Sequence, residues 1–249
     1  MPEVEICIAS DDLSTLPLQL AAAIEGGAKR VELCSNMQLD GLTPSVASMQ
    51  LAQKFLGNEV ALLVMIRPKN ENFCFNHTEI QNMQESITHA AQNGATGVVI
   101  GALDKTQSCF DLEAMQVLVE KAKEHHLSIT CHRAFDLLSN PIKGLKQLRG
   151  LGVHRVLTAG VNWGIISQAE QHIDQFALYL EQAAGEIEVV IAGKVNAHSA
   201  NKIKQQLSSI LPGNDKAFSF HAHSGVMTAG QVDQDKVKQL VHAANSRSS

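Results

Sequence analysis

The chain has 249 residues, 45% hydrophobic and 18% charged, enough to bury a large core in one barrel-sized domain or two smaller ones. A formal charge of -5 without a basic stripe, and a single Trp and a single Tyr, leave neither the charge nor the rings that nucleic acid needs, so the expected partner is a small molecule or an ion. No basic start opens the chain, no segment approaches the roughly 20 apolar residues of a membrane span, and the five cysteines include no C-x-x-C pair, which together predict a cytoplasmic, membrane-free protein with reduced thiols.

In chain order, short runs rich in Val, Ile and Leu recur at Val4 to Ala9, Arg30 to Ser35, Ala61 to Arg67 and Gly97 to Asp104. They return at Leu127 to His132, Arg155 to Thr158, Glu188 to Gly193 and Ala217 to His223. The segments between them carry helical periodicity. Ser14 or Thr15 ahead of Pro17, Thr43 before Pro44 and Asn140 before Pro141 read as helix starts. Gly26-Gly27, Gly57, Gly94 and Gly150 read as helix ends. Eight strand-helix units in about 250 residues predict a (β/α)₈ TIM barrel of the α/β class, with residues 1–249 as one domain. A doubly wound sheet fits less well, because no G-x-G-x-x-G or P-loop follows the first strand.

In such a barrel the functional groups sit at the C-terminal ends of the strands. Those ends supply Glu5 and Cys7, Glu32 and Cys34, Arg67, Asp104, His132 with Arg133 and Asp136, Thr158, Lys194, and His221 with His223. Period-two alternation places Glu5 with Cys7, and Glu32 with Cys34, on one face of each strand. Inward is the expected direction, where a carboxylate-guanidinium network with Arg67, Arg133 and Lys194 could form. The same acids equally suit a structural ion-pair network sealing the barrel floor. Cys7, Cys34 and Cys131 are most simply small buried hydrophobes, whereas Cys74 lies in the loop after the third strand, where a reactive thiol is better placed. Cys34-x-x-Met37 is the one close Cys/Met spacing.

Five segments carry a resemblance: Arg30-Val31-Glu32-Leu33-Cys34, Asp40-Gly41-Leu42-Thr43-Pro44-Ser45, Met65-Ile66-Arg67-Pro68, Cys131-His132-Arg133-Ala134-Phe135-Asp136 and Arg155-Val156-Leu157-Thr158-Ala159-Gly160. In this order they resemble the CutC copper homeostasis family, whose fold is a (β/α)₈ barrel. The resemblance implies copper handling in the cytoplasm with copper bound through cysteine, and it maps the family's charged strand-end residues onto Glu5, Glu32, Arg67, His132, Arg133, Asp136 and His221. The chain departs from the family in carrying Lys194-Val195-Asn196 after the seventh strand, which exchanges a glycine-rich loop for a positive charge.

Two functions remain open. In the first, Cys34 and Cys7 bind copper as Cu(I). In the second, a barrel enzyme acts on an anionic small molecule, with Glu32, His132 and Asp136 as catalytic groups and Glu5, Arg67, Arg133, Lys194 and His221 as ligand-binding groups. A divalent metal held by Glu5, Glu32, His132 and His221 would be a hydrolytic variant of the second. Apolar positions on the helices add the expectation of a homodimer.

Overall fold

The computed structural model describes residues 1–214 and 217–246. Eight parallel strands close into a barrel: β1 Val4–Ala9, β2 Arg30–Cys34, β3 Ala61–Met65, β4 Gly97–Ile100, β5 Ser128–Cys131, β6 Arg155–Thr158, β7 Glu188–Ile191 and β8 Phe218–Ala222. Closure runs through β1 and β8, with Glu5 opposite His221. The helices α1 Leu16–Glu25, α2 Val46–Leu56, α3 His77–Gln92, α4 Leu112–Glu124, α5 Pro141–Leu151, α6 Ile173–Ala183, α7 Ala197–Ile210 and α8 Gln234–Asn245 alternate with the strands. A small antiparallel ribbon, Met227–Thr228 with Gln231–Val232, precedes α8. No helix among the described residues is long and apolar enough to cross a membrane.

Alternation along each strand divides two environments. In β1, Val4, Ile6 and Ile8 join the apolar layer under the helices, and β2 contributes Val31 and Leu33 to it. The opposite face looks into the barrel, where Cys7, Cys34, Leu63, Met65 and Val99 form a separate buried cluster. Parallel strands covered on their outer face by helices must be apolar there, so the polar residues of β1 and β2 are left to the interior.

Three local expectations are corrected. Ser45, not Thr43, caps α2 by accepting the Ser48 amide at 3.1 Å; Thr43 Oγ1 instead accepts the Arg67 amide at the end of β3. Gly150 lies inside α5, which ends at Gly152 with φ 80°, because the left-handed exit requires glycine there. β4 stops at Ile100 rather than running to Asp104. The next residue, Gly101, leaves room for His132: a Cβ on it would fall 2.5 Å from the imidazole Cε1.

Candidate functional site

From the bottom of the barrel upward, the interior begins as an ion-pair layer. Arg30, opening β2, lies 2.7 Å from Glu188, 3.2 Å from Glu5 and 3.2 Å from Glu3, and donates to Ser219 at 2.6 Å. Arg155 donates to Thr130 and Ser128. One level higher, His221 Nδ1 sits 2.7 Å from Glu5 Oε1 and His221 Nε2 sits 3.7 Å from Glu32 Oε2. Burial works against the Glu5 anion, but the hydrogen bond from His221 and the charge of Arg30 outweigh it and bring its pKa down to about 2. Burial likewise works against the His221 imidazolium, and the contacts with Cys7, Glu5 and Glu32 overcome it, raising its pKa well above the usual value. Glu32 moves the opposite way from Glu5. Burial raises its pKa, and its Oε1 has no protein partner among the described residues.

Above these acids lie the sulfurs. Cys7 Sγ is 3.8 Å from Cys34 Sγ and 3.9 Å from Met37 Sδ. Both thiols are protonated near neutrality. The Cys34 contact and burial raise Cys7; for Cys34 the hydrogen bond from Cys7 lowers the pKa, yet burial and the charges of Glu32 and Glu5 push it up to about 11. Met37 reaches the cluster from a short 3₁₀ turn, Met37–Leu39, flanked by Asn36 (φ 49°) and Asp40 (φ 62°). Asn and Asp tolerate this left-handed backbone. Arg67 staples the turn: Nη1 donates to the carbonyls of Leu39, Asp40 and Gly41 at 3.0, 3.2 and 3.2 Å, and Nη2 donates to Asn70 at 3.1 Å. The expected network of Glu5 and Glu32 with Arg67, Arg133 and Lys194 therefore does not form. Arg30 takes that place, being on the same strand face as Glu32 and Cys34.

The third part of the site comes from β5. His132 is buried; its Nδ1 accepts the Ala134 amide at 3.2 Å, which leaves the ring proton on Nε2. Burial and the nearby Arg67 charge lower its pKa to about 3. The imidazole is thus neutral near pH 7, with Nε2–H as its donor. Asp136 accepts from Arg133 Nε at 2.8 Å, Thr158 Oγ1 and the Ala159 amide at 3.1 Å. These bonds brace the segment after β5 against the end of β6, and Asp136 does not line the cavity.

A cavity of about 490 Å³ opens above the barrel interior. Its lining brings Cys7, Cys34, Met37, Glu32 and His221 together with Asp40, Arg67, His132, Arg133 and Lys194. Trp163, in the loop after β6, completes the wall with its ring 4.9 Å from the Arg133 guanidinium carbon. Two groups of possible metal ligands have atoms within 4.8 Å of one another, namely Cys7, Glu32 and Cys34, and Glu5, Glu32 and His221. His132 belongs to neither. The four-residue hydrolytic metal set is thereby reduced to its other three members.

The family model described as the CutC family matches residues 3–210. The chain belongs to the CutC family. Among curated CutC proteins, that of Vibrio atlanticus strain LGP32 is 40% identical, over 81% of this chain and 76% of its own length. The Vibrio vulnificus strain CMCP6 protein is 34% identical, over 98% and 95%. The solved CutC protein of Streptococcus agalactiae, which carries the name of a copper homeostasis protein, superposes with a TM-score of 0.73 at 28% identity, over 90% of this chain and 99% of that one.

Within this CutC barrel, Glu5 lies beneath the cavity, supporting His221 from below. Asp104 is bound in its own turn by Thr106, and Cys131 is buried away from the cavity. Cys74 is a half-buried free thiol, also off the cavity. Arg30, Phe73 and Trp163 went unread. For Arg30 the signal existed, since it stands two residues before Glu32; for Phe73 and Trp163, both in loops, no periodic pattern could have pointed to the mouth.

Proposed function

We propose that the protein binds Cu(I) as cargo through Cys7 and Cys34, with the Met37 thioether as a third soft ligand. The observation that carries this reading is the sulfur cluster: two thiols 3.8 Å apart and a thioether 3.9 Å from one of them, lining an open cavity. Thiolate and thioether sulfurs select Cu(I) over hard cations. With metal-sulfur bonds of about 2.3 Å, two sulfurs up to about 4.6 Å apart can share one ion. The chemistry of the neighbours fits as well. Binding exchanges the two thiol protons for the ion, and the His221 imidazolium offsets the negative charge that two thiolates on one Cu(I) would carry. The family name supports copper handling as the biological context, and five free cysteines suit the reducing cytoplasm.

Anaerobic titration with Cu(I) against a competing chelator tests the proposal. One ion should bind per chain, and Cys34→Ser should weaken binding at least a hundredfold. Because both thiol protons leave, affinity should climb with pH by up to about a hundredfold per unit below the thiol pKa values. Equal affinity in wild type and Cys34→Ser would remove the thiolate site.

A further inference from the structure

The copper reading uses the sulfurs of the cavity and leaves its cations unexplained. Arg67, Arg133 and Lys194 line it beside the acids Glu32 and Asp40. Arg133 spends only its Nε on Asp136, so the terminal nitrogens of its guanidinium, which lies over the Trp163 ring, have no hydrogen-bond partner among the described residues, and its side chain is 27% exposed at the mouth. Lys194, which also lines the cavity, has no carboxylate within ion-pair distance among the described residues. Arg67 is buried with its Nη atoms on backbone carbonyls; the Asp40 carboxylate acts on it from beyond ion-pair distance, and its Nε is unpartnered. His132 Nε2 is a second buried donor without a partner. A buried charge left without a direct ion-pair partner, and a buried N–H left unbonded, each cost free energy unless a ligand meets them.

We propose that this wall binds the oxyanion group, carboxylate or phosphate, of a small molecule. Arg133 and Lys194 supply charge at the mouth, His132 Nε2–H supplies a directed donor deeper in, Arg67 supplies the positive field behind it, and the Trp163 ring forms a flat side against which the ligand's body lies. Guanidinium groups suit both oxyanions, and free terminal nitrogens on Arg133 permit a two-pronged contact. The thiols line the same cavity, but none of these contacts uses a sulfur. Cu(I) binding and oxyanion binding can therefore fail independently.

Trp163 is the only tryptophan in the chain, so its fluorescence reports on this wall. Metal-free protein, kept reduced in a chelating buffer, is titrated with inorganic phosphate in one arm and glycolate in another, with chloride at matched ionic strength as the reference. At least one oxyanion should give a saturable change with half-saturation below about 1 mM while chloride gives none, and the arm that saturates identifies the source. Arg133→Met and, separately, Lys194→Met should each weaken binding tenfold or more, whereas Cys34→Ser should leave it within twofold. Circular dichroism confirms that each variant is folded. Responses that track ionic strength alone, or saturation unchanged in both cation variants, would overturn the proposal.

Discussion

Gly101→Ala tests how tightly the β5 histidine is held. The backbone at Gly101 lies outside the left-handed region, so alanine meets no conformational penalty there; the cost is steric. Its Cβ would fall 2.5 Å from His132 Cε1, 2.7 Å from Nδ1 and 3.2 Å from Nε2. The ring has nowhere convenient to retreat. Its Nδ1 is tied to the Ala134 amide, and its other face lies 4.9 Å, centroid to centroid, from Phe73. Phe73 in turn packs edge-on against Trp163 at 5.3 Å and lies under the Arg67 guanidinium at 4.7 Å. Overpacking of this kind costs about 1–3 kcal/mol. Urea unfolding, followed by circular dichroism, should show a lower midpoint with an unchanged slope. A displaced His132 ring should also shift the Trp163 emission in the native state. Gly150→Ala is the control. It lies in α5 with nothing within 4 Å of the added methyl, so it should stabilise by about 0.5–1 kcal/mol. A Gly101→Ala protein as stable as wild type, with native emission, would refute the claim that His132 is fixed by close approach of the β4 backbone.

Two further outcomes follow from the interior. Glu5 has a folded pKa of about 2, below its usual 4.5, so its contribution to stability is present above pH 4.5 and is lost as pH falls toward 2. The stability gap between wild type and Glu5→Gln in urea should therefore be largest above pH 4.5 and shrink as pH falls through 2, by roughly 3 kcal/mol in all; a gap independent of pH would remove the ion-pair account. Cys7 pairs in register with Glu32, and Cys34 lies two residues further along β2. With strands about 4.8 Å apart and a rise of about 3.3 Å per residue, their Cα atoms are about 8 Å apart, beyond the roughly 7 Å a disulfide spans. Treatment of the native protein with diamide should leave Cys7 and Cys34 unbridged by mass spectrometry, and a native Cys7–Cys34 crosslink would show that the strands yield.

Much of the barrel was legible because strand and helix periods are local properties. All eight expected strands form, and the rule that functional groups gather at strand ends brought Cys7, Glu32, Cys34, Arg67, His132, Arg133, Lys194 and His221 to one cavity. Inward placement of Glu5 and Glu32 followed from the need to keep the helix-facing layer apolar. Partners were less legible. Arg67 looked like a counter-ion for the acids, yet its Nη atoms are consumed by four carbonyls of nearby loops. Asp136 looked catalytic, yet it braces the β5 and β6 ends. In both cases a side chain's role depends on which distant backbone lies within about 3 Å, and periodicity carries no information about that.

The sequence by itself determined the order of elements, the two-faced strands and the family, because each rests on residue type and spacing along one segment. Only the tertiary structure decided that Met37 lies beside Cys7, that Arg30 pairs with Glu5, and that His132 is buried near the Arg67 charge. Closing the barrel brings β1 against β8 and buries groups from separate strands together, and the pKa values and contacts they acquire are properties of that enclosure.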